Sequence, residues 1–283
     1  MKNLSHIFSL IFISFLIISC SGDDDPIITD RNPTENLRLV KQMNANGHFI
    51  ELYSENSQFL TGYNEVFIRM KNASGEYIEN FNVHSWLPIM NMAMHSHSSP
   101  YSEVHPTEFS SMKRGYIVFN MASNDEENWE LTLNYSVGAQ NFSAVDIIEV
   151  HSTGNRRKVM NFQGNDGETY ILAYVNPKVP QVAINDIEAL LFKRESMMNF
   201  PLVENFTLQL DPRMPGMGNH SSPNNRDLTF DAAREVYAGK LSLTMTGYWK
   251  LNFIILDENN EYVAGTQVTQ HNESSDVYLE IEF

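Results

Sequence analysis

Methionine and histidine gather in two short stretches of the chain. Met90, Met92, Met94, His95 and His97 fall within eight residues, and Met214, Met217 and His220 fall within seven. A thioether is a soft, neutral ligand that favours Cu(I) over hard ions, whereas imidazole serves Cu(I), Cu(II) and Zn(II) alike. A loop with two Met and one or two His can therefore assemble a three- or four-coordinate copper site. The single cysteine, Cys20, lies far from both stretches and does not compete. If residues 90–94 are extended, Met90, Met92 and Met94 project to one face and His95 and His97 to the other. The chain must then turn within residues 96–100, where Ser and Pro permit it, for the histidines to fold back. Pro215, Gly216 and Gly218 serve the same purpose in the second stretch. The same residues have a plainer reading: Met fills gaps in apolar cores, and His97 and His220 hold a turn by hydrogen bonds.

What favours the ligand reading is that the pattern occurs twice. Met94 to Pro100 and Met217 to Pro223 share M-x-x-H-S-S-P at an offset of 123 residues. Four other landmarks recur in the same order: Met43 with Met160, Glu79-Asn80-Phe81 with Glu204-Asn205-Phe206, Gly115 and Met121 with Gly239 and Met245, and Trp129 with Trp249, at offsets of 117 to 125 residues. Collinear self-similarity of this kind marks a duplicated structural unit. Met121 and Met245, each closing a Gly-led segment, read as caps of core strands, with the alternative that they lie beside these loops as a further thioether.

Within each unit the pattern is that of strands. Residues 65–70, 115–119 and 129–135 are short, rich in β-branched and aromatic residues and partly alternating, and turn signals such as Asn72-Ala73-Ser74-Gly75 and Asn165-Asp166-Gly167 separate such runs. Short helices are expected only at 106–111 and 230–237. The expected class is all-β: two tandem immunoglobulin-like β-sandwich domains at 37–153 and 154–283.

The order of features, an N-x-S-G turn, a Pro-x-Met segment with His beyond it, a Gly-led strand ending in Met and a Trp-led strand, resembles the YtkA-like domain. The second unit carries it more fully, with Pro212-Arg213-Met214-Pro215-Gly216-Met217, His220, Gly239 and Met245-Thr246-Gly247-Tyr248-Trp249; in the first unit the link from Met121 to Trp129 is longer than the family's M-x-G-x-W. The resemblance implies a small immunoglobulin-like sandwich of exported bacterial proteins, often associated with copper-handling genes.

The N-terminus reads as an address. Lys2, an apolar run over 7–18 and then Ile17-Ile18-Ser19-Cys20 resemble a lipoprotein signal peptide (1–19) with its lipobox, so that Cys20 would carry lipid and anchor the chain without spanning the bilayer. The tether that follows (20–36) begins Ser21-Gly22-Asp23-Asp24-Asp25-Pro26, which is similar to the acidic signal that sends some Gram-negative lipoproteins to the outer face of the outer membrane, and equally reads as a solvated spacer. A formal net charge of −16 argues against nucleic acid as a partner. No G-x-S-x-G, H-E-x-x-H, P-loop or G-x-G-x-x-G is present, so no catalytic motif supports an enzyme. The expectation is a lipid-anchored, non-catalytic metal-binding protein that captures Cu(I) or exchanges it with a copper-donor or acceptor protein. Its alternative is a cell-surface interaction module for a protein or glycan.

Overall fold

The computed structural model describes residues 31–154 and 156–283. The expected signal peptide, Cys20 and the acidic tether to residue 30 lie outside the described residues. Pro33–Phe283 form one compact unit, and none of the described helices is long and apolar enough to cross a membrane.

The first half contains β1 (Arg38–Ala45), β2 (His48–Ser54), β3 (Phe59–Leu60), β4 (Gly62–Lys71), β5 (Phe81–Asn91), β6 (Ser96–Ser98), β7 (His105–Pro106), β8 (Lys113–Phe119), β9 (Asn128–Val137), β10 (Gln140–Ile148) and β11 (Val150–His151). One sheet runs β1-β2-β4-β8-β7 and faces another ordered β10-β9-β5-β6. The second half contains β12 (Val159–Gln163), β13 (Thr169–Asn176), β14 (Ile184–Lys193), β15 (Thr207–Met214), β16 (His220–Ser221), β17 (Arg226–Asp231), β18 (Val236–Ser242), β19 (Tyr248–Leu256), β20 (Tyr262–Ala264) and β21 (Tyr278–Glu282). Here β17 pairs with both β18 and β15, so the two layers join into one sheet that nearly closes. The architecture is all-β, two immunoglobulin-like sandwiches in tandem.

The duplication is visible in the pairing. β5 aligns Pro88 with Leu131 and Met90 with Trp129 on β9, and β15 aligns Pro212 with Leu251 on β19. Met90 pairs with His97 across one turn, and Met214 with His220 across the other. The indole N–H of Trp129 donates to the Met121 carbonyl at 3.1 Å, and that of Trp249 to the Met245 carbonyl at the same distance. The shared glycines have a steric cause: a Cβ on Gly115 would stand 2.6 Å from the Trp86 ring, and one on Gly239 2.6 Å from the Arg226 carbonyl oxygen.

Each half buries its own core, around Trp86, Trp129 and Met90 in the first and around Tyr237, Trp249 and Met214 in the second. A third cluster lies between the halves: Val118 from β8 with Ile171, Ala173, Leu190, Phe192 and Val236, flanked by Tyr63 and Tyr116. Strands β8, β13 and β14 thus bury both faces, Ile117 and Phe119 pointing to one core while Val118 points to the other.

The two expected helices do not form. Residues 106–111 leave β7 in an irregular loop, where the Thr107 hydroxyl accepts from the Phe109 N–H and donates to the Met112 carbonyl. Residues 230–237 span the β17–β18 hairpin, turned at Glu235, whose φ of 53° is left-handed. At 230–237 hairpin pairing between β17 and β18 overrides local helix preference, and at 107–111 side-chain-to-backbone bonds from Thr107 hold the loop instead.

Candidate functional site

The first Met/His stretch turns earlier than its sequence suggests. β5 ends at Asn91, the Met92 N–H donates to the His95 carbonyl at 3.1 Å, and 96–98 already run back as β6. The two serines of H-S-S-P lock this return: the Ser98 hydroxyl donates to the Pro88 carbonyl at 2.7 Å and that of Ser99 to the Val118 carbonyl. The result divides the five residues. Met90 is buried in the core, Met94 stands 95% exposed at the turn, and Met92, His95 and His97 line one cavity.

That cavity measures about 280 Å³, and Met121 and Met197 line it too, with Asn120, Asn161, Thr169, Arg194 and Phe200 among the remaining wall residues. Three thioethers and two imidazoles therefore share one space. His97 is held with its metal-competent nitrogen inward. Its Nδ1 lies 2.7 Å from the Ser98 carbonyl oxygen, which only accepts, so Nδ1 carries the proton of the neutral ring and Nε2 keeps its lone pair. Nε2 lies 3.4 Å from Met121 Sδ. The ring stands edge-on to Trp129, with centroids 5.6 Å apart, and the same Trp fixes the Met121 main chain. Bonds of about 2.0 Å to an imidazole nitrogen and about 2.3 Å to sulfur, the lengths found at zinc, opened to a tetrahedral angle set the two donors about 3.5 Å apart. The 3.4 Å between His97 Nε2 and Met121 Sδ is close to that span.

The wall chemistry is selective. Among the described residues no carboxylate lines the cavity, and the Arg194 guanidinium does, with a 3.2 Å hydrogen bond to the Thr169 hydroxyl. A hard divalent ion finds no anionic ligand there, and the guanidinium repels a doubly charged ion more than a singly charged one. Asn120 Oδ1 is buried without a hydrogen-bond partner among the described residues, an acceptor in want of a donor or cation.

The second stretch has the same sequence pattern in other surroundings. Met214 is buried in its core, where a Cβ on Gly247 would stand 3.1 Å from the Met214 methyl, while Met217 is 59% exposed and His220 is exposed. The structure does not bring these three side chains into one environment. Met121, read from the sequence first as a strand cap and in the alternative as a further thioether beside the loop, and Met197, given no role there, line the cavity with His97. The Met197-Met198 pair in an otherwise polar turn was the signal available.

A larger cleft of about 360 Å³ between the halves is lined by Tyr63, Tyr116 and His105 with several charges. Most of its charges are paired, Glu65 with Arg114 at 3.6 Å and Lys178 at 3.4 Å, and Glu188 with Arg234.

A scan against protein-family models finds no match, and neither does a search of the curated proteins. Among solved structures the chain aligns with FdeC, a broadly conserved Escherichia coli adhesin eliciting protection against urinary tract infections, at 13% identity and a TM-score of 0.23, over 78% of this chain and 62% of that one. The chain thus spans less than two thirds of that protein's length. At that score the likeness carries no argument.

Proposed function

We propose that the protein is a lipid-anchored, non-catalytic copper-binding protein of the cell envelope, which captures Cu(I) or hands it to a partner by ligand exchange. The YtkA-like resemblance and the Cys20 lipobox point the same way. The observation that carries the reading is the 3.4 Å approach of an oriented His97 Nε2 to Met121 Sδ in a cavity also lined by Met92 and His95. Neutral ligands release a monovalent ion without first taking up a proton at sulfur, which suits transfer.

The test is a competitive Cu(I) titration of the full chain carrying Cys20→Ser, so that no thiol contributes. The wild-type site retains copper against a chromophoric chelator, and His97→Ala with Met121→Leu weakens it by more than about tenfold. Binding no stronger than that of exposed histidines would sink the proposal. The rival, a surface module for a protein or glycan, would then stand, and it has in its favour the exposed Val145 and Ile147 on the outer edge strand β10.

A further inference from the structure

We infer that the copper site is completed across the two halves, with the thioether of Met197 from the second half closing on an ion held by His97 and Met121 of the first, so that the chain binds one copper rather than one per repeat. This rests on the copper reading above and adds to it the source of a ligand and the stoichiometry.

The turn that carries Met197 leaves β14 and is built from its own bonds. The Glu195 N–H donates to the Asn199 carbonyl at 3.1 Å, the Asn199 amide donates to the Glu195 carboxylate at 2.7 Å, and the Met198 N–H donates to the Ser196 hydroxyl at 3.1 Å. It then reaches the other half: the Ser98 N–H donates to the Met197 carbonyl at 2.8 Å. Ser98 follows His97, so the main chain of Met197 is pinned one residue from the imidazole, and its side chain lines the same cavity. Below the turn, Phe200 and Leu202 pack on the apolar cluster that joins the halves, which keeps this approach from being a loose contact.

One further observation bears on an ion at this junction. Three thioethers and two imidazoles line the cavity beside one guanidinium, and among the described residues no carboxylate does. The repeat explains why there is one site and not two. Met90 and Met121 lie in and against the first core much as their equivalents Met214 and Met245 lie in and against the second, so the difference rests on the histidine: His97 is buried beside Met121, whereas His220 is exposed.

The experiment uses Ag(I), a redox-inert stand-in for Cu(I), titrated into the full chain with Cys20→Ser. The expected result is one equivalent bound, weakened about tenfold or more by Met197→Leu, and unaffected by Met198→Leu or by the combined change of Met217 and His220 to Ala. Leucine at the partly exposed position 197 keeps the apolar volume, and unchanged far-ultraviolet dichroism confirms folding. If Met197→Leu binds one equivalent at wild-type affinity, the site lies wholly in the first half: this inference fails and the copper reading stands. Two equivalents, one of them lost on changing Met217 and His220, would overturn the single shared site. No Ag(I) or Cu(I) binding by the parent protein removes both proposals.

Discussion

Replacing Lys158 by Met should stabilise the protein at neutral pH and lose that advantage in alkali. Lys158 stands where the chain enters the second half, partly buried and so close to Gly62 of the first half that a Cβ added there would lie 3.0 Å from the Lys158 Cβ. Its ammonium lies 4.2 Å from the centroid of the Tyr174 ring and lines a cavity of about 210 Å³, without a carboxylate partner among the described residues. Burial alone pushes its pKa down from 10.5 to about 8. Below about 8 both folded and unfolded chains hold the proton, and the folded state bears the whole desolvation cost. Between about 8 and 10.5 the unfolded chain keeps a proton that the folded chain has released, so stability rises with pH. The fall from 10.5 to about 8 corresponds to about 3 kcal/mol, of which the Tyr174 ring offsets about 0.5–1 kcal/mol. Met keeps most of the volume without the charge. Urea unfolding at pH 7 should show Lys158→Met more stable by about 2 kcal/mol, and at pH above 10 the two proteins should converge. Subtracting the variant from the wild type cancels every other titrating group. A difference that stays constant with pH, or a variant less stable at pH 7, would refute the assignment of an unpaired, desolvated ammonium.

Other outcomes follow from the same geometry. Met90→Ala should cost about 2–4 kcal/mol in denaturant unfolding because it leaves a core cavity beside Trp129, whereas Met94→Ala, at a fully solvated turn, should stay within about 0.5 kcal/mol. Trp129→Phe and Trp249→Phe should destabilise by a similar amount, about 1–2 kcal/mol, since each loses one indole bond to a methionine carbonyl; only Trp129→Phe should also weaken Ag(I) binding, because only that carbonyl belongs to a residue facing His97. Asn64→Ala and Asn185→Ala should each cost about 2–3 kcal/mol by thermal unfolding. Asn64 bonds Leu60 through both its N–H and carbonyl and also the Gly62 carbonyl, and Asn185 repeats the arrangement with Gln181 and Ala183.

The strands and the duplication were legible because they are local or self-referential properties. Thr207–Met214 alternates buried and partly exposed residues along its length, and a repeated H-S-S-P needs no knowledge of the fold to be seen. The site was legible only in part. Met92, His95 and His97 are close in sequence and meet in space, but which of two similar loops becomes a cavity depends on what covers it, and the cover of the first is the turn at 194–199. Met121 lies 24 residues from His97, on the far side of a strand whose crossing is set by tertiary packing. One overlooked signal did exist. The unbroken apolar runs at 170–175 and 189–192 violate the alternation of a one-sided sheet, and both belong to strands buried against the other half. The expected helices failed for a different reason: their local composition was permissive, and turn chemistry closed 230–237 into a hairpin and left 107–111 as a loop.

The cluster that joins the halves is contributed largely by corresponding strands, β4 and β8 from one copy and β14 and β18, with β13, from the other. Self-complementary faces of this kind are what symmetric homodimers use. Fusing two such subunits into one polypeptide turns their encounter into an intramolecular event at an effective concentration of order millimolar, which lets one copy drift away from the contact's original symmetry without the pair coming apart.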